Sequence, residues 1–99
     1  MDIHEAMEML SKDVSGYFCD NPTELGIEHM REDYLPSKSH LHWVSIKSAF
    51  ETMLEGDCPE TDLSELVRCE FNRHVPLLPG GARGFLTHIY KSIFEEGQD

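Results

Sequence analysis

The sequence predicts an all-α fold, a compact single-domain bundle of about five short helices spanning residues 1–99. Three observations lead there. Apolar residues recur at three- and four-residue spacings in successive segments, capping or helix-breaking residues stand between those segments, and strand-like alternation is weak, with only Lys38 to Val44 arguable. A chain of 99 residues has room for one hydrophobic core, and an apolar fraction of 39% is enough to build it.

In the first helix Ile3, Met7, Leu10, Val14 and Phe18 share a face, Asp2 is available as N-cap, and Gly16 marks where the helix frays. The second starts at Pro22. Asn21 can cap it, the fixed φ of proline suits the first helical position, and Glu24 can return to the cap's amide. Its apolar positions Leu25, Met30 and Tyr34 are sparse, it extends to about Asp33, and Gly26 weakens it by about 1 kcal/mol relative to alanine. After a break at Pro36, the residues Trp43, Ile46, Ala49, Phe50, Met53 and Leu54 form a clear stripe ending at Gly56, with Trp43 expected in the core. A turn at Asp57-Cys58-Pro59 leads to a second capping box, Asp62-Leu63-Ser64-Glu65, and a short fourth helix with Leu63, Leu66, Val67 and Phe71 on one face. The prolines of Val75 to Gly81 rule out a continuous helix, so its apolar residues predict a loop laid over the core. The fifth helix has the strongest stripe, Phe85, Leu86, Ile89, Tyr90, Ile93 and Phe94, and stops at Gly97.

Nineteen acidic side chains against eight basic ones give a formal charge of −11. Solubility alone asks a small domain for a magnitude of about 2–8. The excess argues against direct binding of nucleic acid or an anionic membrane, both of which need clustered Lys and Arg, and favours a basic partner. No run of apolar residues is long enough to span a bilayer, and the first residues lack the positive region of an export signal. Cys19, Cys58 and Cys69 are odd in number and show no pairing pattern, which predicts reduced thiols. The expected location is therefore the cytoplasm.

The acidic residues fall into two groups. Glu51, Glu55, Asp57, Glu60, Asp62 and Glu65 run from the third helix into the fourth with no basic residue among them, and form the leading candidate contact surface. Asp20, Glu24, Glu28, Glu32 and Asp33 form a reserve acidic face along the second helix. From Leu66 to Phe94 the sign reverses, with Arg68, Arg73, Arg83 and Lys91 against Glu70 alone. A charge run is ordinarily a solvated face, and Asp62 and Glu65 are already accounted for as caps. The size of the excess is what points to use.

Catalytic chemistry is not indicated. There is no phosphate-binding loop, nucleophile elbow or His-Glu-x-x-His, so no catalytic residue, cofactor or metal is expected. His40 and His42, two apart, diverge by about 200° on a helix and cannot share an ion there, which leaves them as solvated or capping residues. Gly80-Gly81-Ala82-Arg83-Gly84 lacks the preceding strand and the Lys-Ser/Thr pair of a phosphate loop; it reads as a helix start whose amides, with Arg83, could at most hold an anion.

Three stretches carry a resemblance: Trp43-Val44-Ser45-Ile46-Lys47-Ser48-Ala49-Phe50 leading to Leu54-Glu55-Gly56, then Leu63-Ser64-Glu65-Leu66-Val67, then Gly84-Phe85-Leu86-Thr87-His88-Ile89-Tyr90. From Trp43 to Phe94 the chain resembles the small helical immunity proteins of bacterial contact-dependent growth inhibition systems. The resemblance implies a cytoplasmic protein that forms a one-to-one complex with a toxin domain, often a basic nuclease, including ribonucleases of the pancreatic-ribonuclease type. It implies no catalytic residues. The competing reading of the same acidity is a regulatory adaptor or DNA mimic that blocks a nucleic-acid-binding protein.

Overall fold

In the computed structural model, which describes residues 2–37, 39–55 and 58–95, Asp2 caps the first helix through Oδ1, which accepts the Glu5 amide at 2.8 Å. Helix α1, Ile3–Met9, continues without interruption into a π turn, Leu10–Val14, and a 3-10 turn, Ser15–Tyr17. The change of winding follows from the sequence. Ala6, Leu10, Val14 and Phe18 recur every fourth residue and are all fully buried, yet in an α-helix each such step overshoots a full turn by about 40°. The wider i→i+5 turn removes that drift and keeps the four on one seam. With the seam running through Ala6, the expected core residues Ile3 and Met7 are only half-buried, at its flank.

Helix α2, Thr23–Tyr34, starts one residue later than expected, with Pro22 at the N-cap instead of in the first turn, and the expected capping box does not form. Asn21 Nδ2 donates instead to the Tyr17 carbonyl at 3.1 Å, and Glu24 reaches across to His88. Helix α3, Leu41–Glu55, is capped by His40, whose Nδ1 accepts the His42 amide at 3.1 Å. The arguable strand is therefore helical from Leu41 onward, and there is no strand among the described residues. Helix α4, Glu60–Cys69, begins before the expected capping box because Pro59, which lacks an N–H and has φ near the helical value, already supplies an entry. Asp62 and Glu65 accordingly sit inside the first two turns rather than at the cap. The stop signals Gly56 and Gly97 lie outside the described residues.

Asn72, at φ 55°, ends α4 with a left-handed residue, and the Arg73 amide closes back onto the Val67 carbonyl at 3.2 Å. The proline-rich segment makes one 3-10 turn, Val75–Leu77, with Val75 and Leu78 packed on the core as expected. Helix α5, Gly81–Tyr90, continues into a second π turn, Lys91–Glu95. In the packing, α1 lies along α3, α4 along α5, and α5 on α3, while α2 rests on the C-terminal π turn and on the turn at Tyr17. The buried residues form one contiguous core. The radius of gyration of 12.4 Å is close to the roughly 13 Å of a closed 100-residue domain. Two aromatic clusters hold its ends: Phe18, Phe71 and Phe85 at one, and Trp43, Tyr34, Phe94, Phe50 and Tyr90 at the other. Trp43 is buried, as its place in the stripe predicts.

Gly26, weak as a helix former, is present for a contact. A Cβ there would lie 2.6 Å from both the Phe18 ring and the Tyr17 carbonyl. Gly26→Ala is therefore expected to lower stability by about 2 kcal/mol through overpacking, despite alanine's better helix propensity. Urea unfolding checks this, and a variant as stable as the parent would show that α2 does not press on Phe18 so closely.

Candidate functional site

Helices α1 and α4 flank an open groove built from two short polar files. On α1 and the π turn that continues it, His4, Glu8 and Ser11 follow helical spacing, with Met7 beside them; on α4, Asp62, Glu65 and Cys69 do the same. Because the buried seam of α1 runs through Ala6, Ile3 and Met7 are left to line the groove with their apolar stems. One lobe, of about 280 Å³, is lined by His4, Met7, Glu8, Ser11, Glu65, Leu66, Cys69 and Glu70. The adjoining lobe, of about 630 Å³, adds Asp2, Ile3 and Asp62. Asp2, Glu8, Asp62, Glu65 and Glu70 all line these lobes, and no Lys or Arg among the described residues does.

Two of the five are engaged. Asp2 caps α1, and accepting the Glu5 amide holds its carboxyl below the usual range. Glu8 pairs with Lys12 at 2.6 Å, a bond that lowers the carboxyl and raises the ammonium. Both groups of that pair are exposed, so a competing cation can displace it at little cost. Asp62, Glu65 and Glu70 have no ion-pair partner among the described residues.

The structure divides the leading acidic group. Asp62 and Glu65 enter the groove, and Glu55 is exposed at the end of α3. Glu51 accepts the Tyr90 hydroxyl at 2.8 Å, and Glu60 pairs with Arg83 at 3.4 Å. Asp57 lies outside the described residues. In the reserve group Asp20, Glu24, Glu28, Glu32 and Asp33 are all exposed, with Glu24 3.1 Å from His88 and Asp33 accepting the Tyr17 hydroxyl. Asp2, Glu8 and Glu70 belong to neither acidic run of the sequence, and only tertiary packing, which sets α1 beside α4, brings them to the groove.

The basic excess of the C-terminal third is partly turned inward. Arg83 donates to the carbonyls of Leu54 at 2.6 Å and Cys58 at 3.2 Å, tying the end of α3 to the start of α4. It is thus committed and does not assist the glycine-rich amides in holding an anion. Arg73 donates to the Asn21 carbonyl at 2.6 Å, the Phe71 carbonyl at 3.0 Å and Thr23 Oγ1 at 3.3 Å, and lies over the Phe85 ring. Both arginines satisfy backbone acceptors near helix ends. Neither is left to neutralise the groove.

The tyrosine–carboxylate contacts carry a pH signature. Burial first, and then the Asp33 carboxylate, push Tyr17 up to about 12; burial and Glu51 push Tyr90 up as well. The folded state then holds these protons more tightly than the unfolded chain, so stability falls as pH rises past the ordinary tyrosine value of about 10. Urea midpoints measured from pH 9 to 11.5 are expected to drop more steeply for the parent than for the double variant Y17F/Y90F. Equal slopes would contradict the assignment.

His40 and His42 serve α3 locally, the first as cap and the second by edge contact with Trp43. Among the described residues no three His, Cys, Asp or Glu side chains come close enough to hold a metal ion. Cys58 is buried, Cys19 half-buried and Cys69 exposed, all as free thiols; burial raises the Cys58 thiol further. No described helix is long and apolar enough to cross a membrane.

No protein family, curated protein or solved structure gives a significant match to this chain. The groove's own chemistry must carry the functional argument.

Proposed function

We propose that this chain is a stoichiometric inhibitor of a basic protein, a nuclease-type toxin domain of the class that its resemblance to contact-dependent growth inhibition immunity proteins implies. One observation supports this most: five carboxylates line a groove to which no Lys or Arg among the described residues contributes, while Arg73 and Arg83 are drawn into backbone contacts elsewhere. A nuclease cleft is basic because it holds phosphates. Asp62, Glu65 and Glu70 present carboxylates without internal partners to such side chains, and Met7 and Ile3 offer apolar surface for the methylene stems of Lys or Arg. The net charge of −11 steers encounter and raises the association rate. Inhibition then needs no chemistry, because the bound inhibitor occupies the place of the RNA.

The groove is concave and takes basic side chains in. Co-expression with the polypeptide encoded immediately upstream, followed by sedimentation analysis, tests the proposal. A one-to-one complex that dissociates as salt rises is expected. A complex with that polypeptide that duplex DNA displaces, while RNA does not, would transfer the weight to the DNA-mimic reading.

A further inference from the structure

A second feature stands apart from the acidic groove. Where the start of α2 meets the start of α5, a pocket of about 390 Å³ is lined by Leu78, Pro79, Phe85 and the bare backbone of Gly84, with Thr23, Glu24 and His88 at its edge. The pocket is preformed. The Phe85 ring is held by Phe18 and Phe71, with centroids 6.2 and 5.7 Å away, and by the Arg73 guanidinium at 5.7 Å. Gly84 lets the Pro79 backbone pack directly against α5 and so fixes this wall, since a Cβ there would lie 2.5 Å from the Pro79 carbonyl oxygen. Little side-chain ordering remains to be done on binding, the condition under which a single anchor contributes most.

The edge is acidic. Glu24 borders the pocket, with His88 Nε2 3.1 Å from its carboxylate, and Glu28 and Glu32 follow it at helical spacing along the exposed side of α2. On the other side a short chain segment leads from the pocket toward the groove. Arg73 bonds to Asn21 and Thr23, and Cys19 Sγ contacts the Glu70 carbonyl at 2.9 Å, so the segment from Cys19 to Thr23, with Asp20 exposed, links the two concavities.

We infer that this pocket receives one apolar side chain, aromatic or leucine-sized, from a segment of the basic partner in which Lys or Arg flank that side chain. The flanking cations pair with Glu24 and Glu28 while the anchor rests on Phe85 and Leu78. This is the arrangement of an interface hot spot, an apolar anchor inside a charged rim. The inference rests on the partner being basic, as proposed above, and not on its being a nuclease.

The test uses the full chain, isotopically labelled, and two synthetic peptides, Lys-Lys-Trp-Lys-Lys and Lys-Lys-Ala-Lys-Lys, followed by amide chemical-shift perturbation in low salt and again at 0.5 M NaCl. The tryptophan peptide is expected to shift Glu24, Leu78, Gly84, Phe85 and His88 in a saturable way and to bind about tenfold more tightly than the alanine peptide. Part of its affinity should survive high salt, because the apolar contact is not screened. Glu24→Lys, a change at an exposed position, should weaken the tryptophan peptide at least threefold without altering the fold. Equal binding of both peptides along the acidic residues alone would overturn the pocket and leave the acidic surface standing. Binding of the tryptophan peptide at the exposed Leu41 and Val44 of α3, or no binding of either peptide at millimolar concentration, would also overturn it.

Discussion

Neutralising Asp62, Glu65 and Glu70 together, as D62N/E65Q/E70Q, is expected to weaken binding to a basic toxin domain by about a hundredfold. The figure assumes roughly 1 kcal/mol for each carboxylate, modest for charge pairs across an interface, because Glu65 and Glu70 are exposed and keep part of their hydration. Much of the loss should appear in the association rate at low salt and shrink as salt rises, since the field of the groove does the steering. The corresponding change on α2, E28Q/E32Q, removes charge from a helix that does not line the groove, and should cost less than tenfold. Stability checks on these variants matter little to the comparison. Only Asp62, in the first turn of α4, has a local role, worth about 0.5 kcal/mol as an anion near a helix N-terminus. Surface plasmon resonance at two salt concentrations measures both effects. Losses in proportion to the charges removed, two on α2 against three in the groove, would mean that the total charge matters and the groove does not.

The second large effect is on the fold itself. Arg73→Ala is expected to cost about 3 kcal/mol, because Arg73 bonds at once to the Asn21 and Phe71 carbonyls and to Thr23, and each charge-assisted bond contributes about 1.5–3 kcal/mol without full additivity. Removing it separates the beginning of α2 from the end of α4 and takes the cation off the Phe85 ring. For a domain of this size that corresponds to a melting point lower by on the order of 12 °C or more. Arg73→Lys keeps the charge but loses the planar fork that reaches several acceptors, so it should recover less than half of the stability. Calorimetry of the three proteins decides this. Full recovery by lysine would mean that charge alone, and not the multiple bonding, holds these helices together.

Much of the architecture is legible in the sequence because burial follows periodicity. The stripes through Trp43–Leu54, Leu63–Phe71 and Phe85–Phe94 are buried as expected, except that Leu54 and Tyr90 are half-buried at the core's edge. The helix starts are less legible, for a local reason. Asp2 caps as predicted, but Pro22 and Pro59 themselves occupy the N-cap positions of α2 and α4, where a proline has no side-chain oxygen to accept a first-turn amide. The rotation of α1 about its seam is hidden too, since Ile3 and Met7 fit an ideal helical stripe as well as Ala6 does, and only the π turn at Leu10–Val14 selects the latter.

The candidate site is half visible. Spacing puts Asp62 and Glu65 on one side of a helix, but nothing in the sequence says that the facing wall is His4, Glu8 and Asp2. The sign reversal after Leu66 likewise reads as a basic surface until the carbonyls that Arg73 and Arg83 satisfy are known. Long-range pairing of a side chain with a helix end has no sequence period. That is why two arginines could look like surface charge and act as staples.

The most direct test of the inhibitor reading is a titration of this protein into an RNA-degradation assay run by the upstream-encoded polypeptide at fixed concentration. A linear loss of activity ending at one equivalent, with D62N/E65Q/E70Q needing a large excess, is the predicted result. Undiminished RNA cleavage in the presence of excess inhibitor, or no cleavage to inhibit, would contradict it.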